Sequence, residues 1–492
     1  MEQFIKTVSG FLWGNLMIAL CVGVGVFFAI KTKFFWLRYF KESIKLIKEK
    51  NVGGKDGVSP FQAFSMALAG RIGTGNIVGV ATAIAAGGPG ALFWMWILAF
   101  FGAGTSLAEC TLAQIYKEKK FGEYRGGPAY YMEKALGQKW LAVLFALFCF
   151  IGNMFLIPGV HSNSITTSLQ NAFNLPTWIG GLMLAALMAV VIFGNVHRIA
   201  TISELVVPFM SVGYIILSFI VIGANIQQLP AMFGLIFSSA FGANAIFGGM
   251  LGSAIVWGVK RAVNSCSAGM GTAPQSAAAA ETSHPVKQGM VQAISVYVDT
   301  LLVCTASGFM MLITNSYNVV NPTTGQSVVS YLGNVSAGAI FVQTAAESVL
   351  PGIGSALVAI ALFFFAFTSL MAAYYIGETN LLYFVGENHR NQLKPLLAFV
   401  KVVFLCMVIF GSLKSGGVVW AMNDIGTGFM CWTNLISLIL LSGIVGKAVK
   451  DYERQRKQGL NPYFDPDVAG IKNAELWSSD EMKDKFKNQG TL

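Results

Sequence analysis

From Phe61 to Trp96 the chain reads FQAFSMALAGRIGTGNIVGVATAIAAGGPGALFWMW, an apolar run long enough to cross a bilayer. A polar, glycine-rich knot, Arg71-Ile72-Gly73-Thr74-Gly75-Asn76, sits in its middle. Glycine removes the side chain and relaxes the helix, while Thr and Asn place polar groups where hydrocarbon penalises them. Non-helical backbone at membrane depth persists only where protein buries it or a polar cavity receives it. A seam of small residues for close helix packing is the plainer explanation of one such knot. A second knot argues against it: Ser267-Ala268-Gly269-Met270-Gly271-Thr272 interrupts another apolar span about two hundred residues later, with Pro274 placed to open the continuing helix.

The chain around the knots is that of a helical membrane protein. Of 492 residues 55% are apolar and 11% charged, against roughly 25% charged in ordinary globular domains. Apolar spans are read near 11–30, 60–86, 91–116, 140–168, 178–194, 201–223, 245–281, 289–314, 353–385, 395–412 and 416–446, about eleven in all. The first lacks a small-residue cleavage site and is followed by Lys31 and Lys33, so it reads as a retained helix.

The net charge of +10 is a topology signal. Eight Lys/Arg lie in 31–57, six in 117–139 and nine from Lys447 onward, with Arg198, Lys287, Arg390 and Lys394 in short links. The alternate links 87–91, 169–177, 224–244 and 315–352 carry none. This bias places the N-terminus outside and the C-terminus in the cytoplasm of a multi-pass plasma-membrane protein, and excludes nucleic acid as the partner of the positive charge. Residues 31–57 alternate aromatic and basic positions, as in a helix lying on the cytoplasmic leaflet. The seven cysteines and four histidines show no metal-ligand or redox spacing.

Counting spans, each knot opens a group of five helices, and an odd number of crossings gives the two groups opposite orientation. Two Gly-interrupted segments in corresponding positions of two halves point to a transporter binding site. The expected layout is an N-terminal helix and basic interfacial segment (1–58), a five-helix repeat (59–223), its inverted counterpart (224–446) and a cytoplasmic tail (447–492), the tail being peripheral or partly disordered. The loop 122–137 suits a gate or hinge and equally a solvated loop. Pro158-Gly159 bends the fourth span beside His161, Ser162, Asn163 and Ser164, as in a helix facing a polar path. Asp299 is an acid within a span, either functional or bridged to Lys260, Arg261 or Arg71. Thr368 and Ser369 offer hydroxyls suited to a hard cation such as sodium, or to carbonyls of their own helix. A passive channel would need a polar path along several helices rather than mid-depth breaks. No nucleophile–base or paired-carboxylate arrangement supports an enzyme.

Arg71 to Val80, then GGPGALFWMW (87–96), GVKRAVNSCSAGMGTAP (258–274) and FAFTSLMAAYYIGE (365–378) resemble the alanine or glycine:cation symporter family over roughly residues 55–450. The resemblance implies an all-α, five-plus-five inverted-repeat core like that of neurotransmitter:sodium symporters, with one additional N-terminal helix. It implies sodium-coupled uptake of a small neutral amino acid by alternating access. The substrate would lie against Thr74, Gly75, Asn76, His161, Gly269, Met270, Gly271, Ser369 and Leu370. Sodium would be held at Ala69, Ile72, Thr368 and Ser369. Three departures bear on the substrate. The family's second knot usually reads Ser-Asn-Glu-Ala-Gly-Met-Gly, where this chain has Ser265-Cys266-Ser267-Ala268-Gly269-Met270-Gly271. His161 stands where Gln is usual, and Ala372-Ala373 where Gly-Trp is usual. Glutamine or another larger neutral amino acid therefore stands as an alternative substrate, and Asp299 leaves proton coupling open.

Overall fold

The computed structural model of the chain describes residues 2–49, 57–193, 196–385, 390–479 and 482. Parts of the expected basic segments, at 50–56, 194–195, 386–389, 480–481 and 483–492, lie outside the described residues. The described chain is almost wholly helical, with two small antiparallel hairpins at opposite ends of the bundle.

Six helices among the described residues are long and apolar enough to cross a membrane: Ala91–Ile115, Lys139–Phe173, Arg198–Ala224, Pro285–Ile313, Gly354–Phe384 and Leu393–Leu413. Two bent pairs pass the same test, Pro60–Arg71 with Gly75–Gly87 at 47° and Gly416–Leu440 with Ser442–Lys457 at 61°. Asn15–Lys31 and Thr177–Ile192 are shorter apolar helices. Burial sorts them. Ala91–Ile115 and Pro285–Ile313 are each 67% buried over their most apolar window, whereas Leu393–Leu413 is 28% buried, so the first two are central and the last peripheral.

Two expectations change at the ends of the bundle. The last expected span, 416–446, stops at Leu440, where the chain turns sharply into the charged helix Ser442–Lys457. In the aromatic–basic segment, Phe35 and Trp36 face protein: the Trp36 indole donates to the Tyr297 hydroxyl at 2.7 Å, and its ring fills the space a side chain at Gly104 would need.

The basic end of the bundle is closed by several packed pieces. Glu118–Lys120 pairs with Glu123–Arg125, with Glu118 opposite Arg125, and is followed by the helix Pro128–Lys134. Arg125 is ion-paired with Glu123 at 2.6 Å and donates to Thr379 at 2.6 Å. The C-terminal tail, expected to be peripheral or partly disordered, folds back onto this end. Phe464 N–H donates to the Ser283 carbonyl at 2.9 Å, and the buried Trp477 indole donates to the Gln114 carbonyl at 2.8 Å. At the far end, Asn318–Val320 pairs with Ser327–Ser330 across a register shift at Val319/Val320, ahead of the helix Ala339–Glu347.

Candidate functional site

The first knot is built by an early stop and a late restart. Ser59 and Gln62 form a reciprocal capping box that fixes where the helix Pro60–Arg71 begins. At Ile72 the backbone leaves helical geometry (ψ 94°). The chain resumes as a widened turn, Gly75–Gly79, that runs into Val80–Gly87. The carbonyls of Ala69 and Ile72 at the open end accept from the Ser369 hydroxyl, at 2.9 and 3.5 Å. Glycine is required by proximity. A Cβ on Gly73 would lie 2.2 Å from Ser369 Oγ, and one on Gly75 would lie 3.0 Å from the Ser265 Cα.

The second knot uses left-handed backbone instead. After the helix Leu251–Cys266, Ser267 (φ 55°), Gly269 (φ 82°) and Gly271 (φ 79°) turn the chain before Ala273–Ala279 restarts with Pro274 in its first turn. The unwound backbone at Gly269 is held from outside: its carbonyl accepts from Asn434 Nδ2 at 3.0 Å, and its N–H donates to Glu109 at 3.4 Å. Side chains of two neighbouring helices, Glu109 and Asn434, thus hold this knot's backbone.

The two knots meet at a cavity. Of the residues expected on the substrate, Thr74, Gly75, His161, Met270 and Ser369 line it, and Gly73, Asn153, Asn264, Trp420 and Asn423 join them. Thr74 Oγ1 is 3.1 Å from His161 Nδ1. The other four expected residues are placed behind this surface. Asn76 turns away: its oxygen accepts from Gly73 N–H at 2.8 Å and its amide donates to Asp299 Oδ1 at 2.7 Å. Gly269 and Gly271 shape the knot without lining the cavity, and Leu370 is fully buried. Of the four expected sodium ligands, Ala69, Ile72 and Ser369 come together, whereas Thr368 donates to Phe364 and Phe365 of its own helix at 3.1 and 3.0 Å.

The charges around the cavity pair differently from the bridges considered for Asp299. Lys260 and Arg261 both pair with Asp424, at 2.6 and 3.0 Å, and the Arg261 guanidinium stacks 4.4 Å from the Trp420 ring that lines the cavity. Asp424 escaped the sequence reading, although an Asn-Asp pair inside an apolar span is a visible signal. Asp299 instead accepts from Asn76, Ser265 (2.8 Å) and Thr300 (2.7 Å), which ties both knots to the helix Pro285–Ile313. Arg71 donates to the Gln292 carbonyl at 2.9 Å and to Ser106 at 2.8 Å, and also bonds Ser295.

Comparison with known proteins matches residues 1–466 to the model of the sodium:alanine symporter family. The putative sodium/proton-dependent alanine carrier protein YrbD of Bacillus subtilis is 51% identical over 98% of both chains. The probable sodium/glutamine symporter GlnT of the same organism is 40% identical, over 99% of this chain and 98% of that one. The sodium/alanine symporter AgcS of Methanococcus maripaludis is 37% identical, over 92% of this chain and 98% of that one.

Proposed function

The chain belongs to the sodium:alanine symporter family, and from that premise we propose how its site carries out transport. The protein is a multi-pass membrane carrier that moves a small neutral amino acid together with sodium; it is not an enzyme. We read residues 59–223 and 224–446 as two five-helix halves of opposite orientation, within about eleven crossings. The basic end lies in the cytoplasm, so the N-terminus is outside. Alternating access then exposes the cavity between the knots first to one side and then to the other.

One observation supports the assignment of the site most strongly: the Ser369 hydroxyl sits on the Ala69 and Ile72 carbonyls, at the wall of the cavity lined by Thr74, Gly75 and Met270. Oxygens at the open carboxyl end of a half-helix suit a hard cation, and with its O–H turned to the Phe365 carbonyl, 2.9 Å away, the Ser369 oxygen can face the ion with them. The amino acid's carboxylate meets the backbone N–H groups at the start of the outer half-helix, near Thr74 and Gly75. Asn76 serves this surface through Gly73, whose N–H it accepts, rather than by direct contact. His161, through Thr74, orders the wall facing the side chain.

Because Ala373, rather than a bulky aromatic, stands beside the cavity, alanine and glutamine are the two substrates to compare first. Titration calorimetry of alanine, glycine and glutamine with and without sodium tests the reading. Linkage requires that sodium tighten amino-acid binding by the same factor that the amino acid tightens sodium binding. Equal affinity with and without sodium would reject a shared site.

A further inference from the structure

The buried charges near the cavity fall into two sets among the described residues. On one side Asp424 sits between Lys260 and Arg261. On the other stand one guanidinium, Arg71, and two carboxyls, Asp299 and Glu109, all at most 1% exposed. Asp299 receives three side-chain donors at 2.8 Å or less, and Arg71 is the one cation that acts on both carboxyls among the described residues. The donors to Glu109 are longer, Asn434 Nδ2 at 2.9 Å and Gly269 N–H at 3.4 Å with the Gly271 backbone also facing it, and no Lys, Arg or His nitrogen donates to it among the described residues. A second carboxylate buried without a counter-charge is strongly disfavoured, and a proton removes the charge.

We propose that Glu109 is a proton-binding site, its carboxyl protonated while the second knot is folded as seen here and exchanging that proton with water when the knot rearranges. The proposal rests on the transport reading only in requiring the knot to move. The titratable groups facing Glu109 are Arg71 on the first broken helix, Cys110 on its own helix, Tyr131, Cys266 in the second knot and Cys431. Of these only Arg71 is a cation, and it is shared with Asp299.

The geometry ties the proton to transport. Glu109 holds the N–H of Gly269 and Asn434 holds its carbonyl, while the next residue, Met270, lines the cavity. A change of charge on Glu109 therefore acts on the unwound backbone beside the substrate. Toward the basic end, Thr111 Oγ1, Gln114 Oε1, Gln275 Oε1 and both amide atoms of Gln288 are buried without a hydrogen-bond partner among the described residues, polar atoms of the kind that bind buried water.

Infrared spectroscopy of the full-length protein in lipid, in light and heavy water at neutral pH, tests the proposal without any uptake assay, so its failure is separate from failure of the transport reading. The wild type is expected to show the C=O band of a protonated carboxylic acid that disappears in Glu109→Gln and survives in Asp299→Asn. Should Glu109→Gln not fold, Asn434→Leu is expected to shift the same band by removing its hydrogen-bond donor. Addition of sodium and alanine is expected to shift or abolish the band. No acid band in the wild type, a band that persists in Glu109→Gln, or one lost only in Asp299→Asn would overturn the proposal, as would a band unmoved by Asn434→Leu.

Discussion

Ser369 Oγ donates to the carbonyl oxygen of Ala69 across 2.9 Å, joining the long helix Gly354–Phe384 to the last turn of the half-helix Pro60–Arg71. The same hydroxyl reaches the Ile72 carbonyl at 3.5 Å. Three oxygens from two elements thus converge where the first broken helix stops. Ser369 Oγ is also 2.9 Å from the Phe365 carbonyl of its own helix, whereas the partners of its neighbour Thr368 among the described residues, Phe364, Phe365 and Met210, include none on the broken helix.

Ser369→Ala removes one of three converging oxygens and is expected to raise the sodium concentration for half-maximal uptake about 10-fold, equivalent to ~1.4 kcal/mol. Thr368→Ala is expected to have the smaller effect, because its hydroxyl must first leave two helix carbonyls. Sodium titrations of uptake compare the two; a larger effect at Thr368 would move the cation toward that side chain.

His161→Ala leaves Thr74 Oγ1 without its partner at 3.1 Å. The loss of one hydrogen bond at the binding surface, about 1 kcal/mol, predicts a roughly 5-fold rise in KM for the amino acid, with little change in sodium dependence. Radiotracer uptake at saturating sodium measures this.

Gly73→Ala and Gly75→Ala both press a methyl group into the site, the first displacing the Ser369 hydroxyl, 2.2 Å away, and the second meeting the Ser265 backbone at 3.0 Å. Both are expected to abolish uptake while the protein still reaches the membrane. Gly23→Ala, with nothing within 4 Å, is the matched control and should transport normally.

Asp424→Asn leaves Lys260 and Arg261 buried without their counter-charge. The expected destabilisation is about 3–5 kcal/mol, read as a lowered melting temperature in detergent. Adding Lys260→Met should recover part of it by removing one of the two stranded cations.

The docked tail is expected to loosen in acid. Burial holds the His284 imidazole below its ordinary value; Asp451 at 3.3 Å opposes that shift, and Lys287 adds to it. The folded form therefore binds its proton less readily than the undocked form. Docking is fully stable above the ordinary value, about 6.5, and weakens as pH falls through it toward the lower folded value. Hydrogen exchange across residues 461–478 should speed up on acidification, while exchange in Ala91–Ile115 stays unchanged.

The parts of this arrangement set by local chemistry were legible in the chain. Glycine pairs marked both breaks and Pro274 the second, Thr74, Gly75 and Met270 lay within them, and the adjacent hydroxyls pointed to Ser369. What escaped depends on partners far apart in sequence. Asn76 looked like a free amide at the site, yet its donor and acceptor are used by Asp299 and Gly73. Asp299 was open to a functional role or to a bridge with Lys260, Arg261 or Arg71, and two hydroxyls and an amide donate to it. Glu109 gave no signal in the sequence, because its carboxyl supports a glycine 160 residues away. The tail read as peripheral or partly disordered because its charges are frequent; its few aromatic residues, Phe464 and Trp477, meet edge-to-face at 5.2 Å where it docks.

Uptake into proteoliposomes is the most direct test of the account. Labelled alanine and glutamine are supplied with an inward sodium gradient, and again with choline in place of sodium. The account predicts accumulation of at least one of them above its external concentration, only with sodium, and abolished by Gly75→Ala. Equal entry without sodium, stopping at equal concentrations on both sides, would contradict it and identify a passive path.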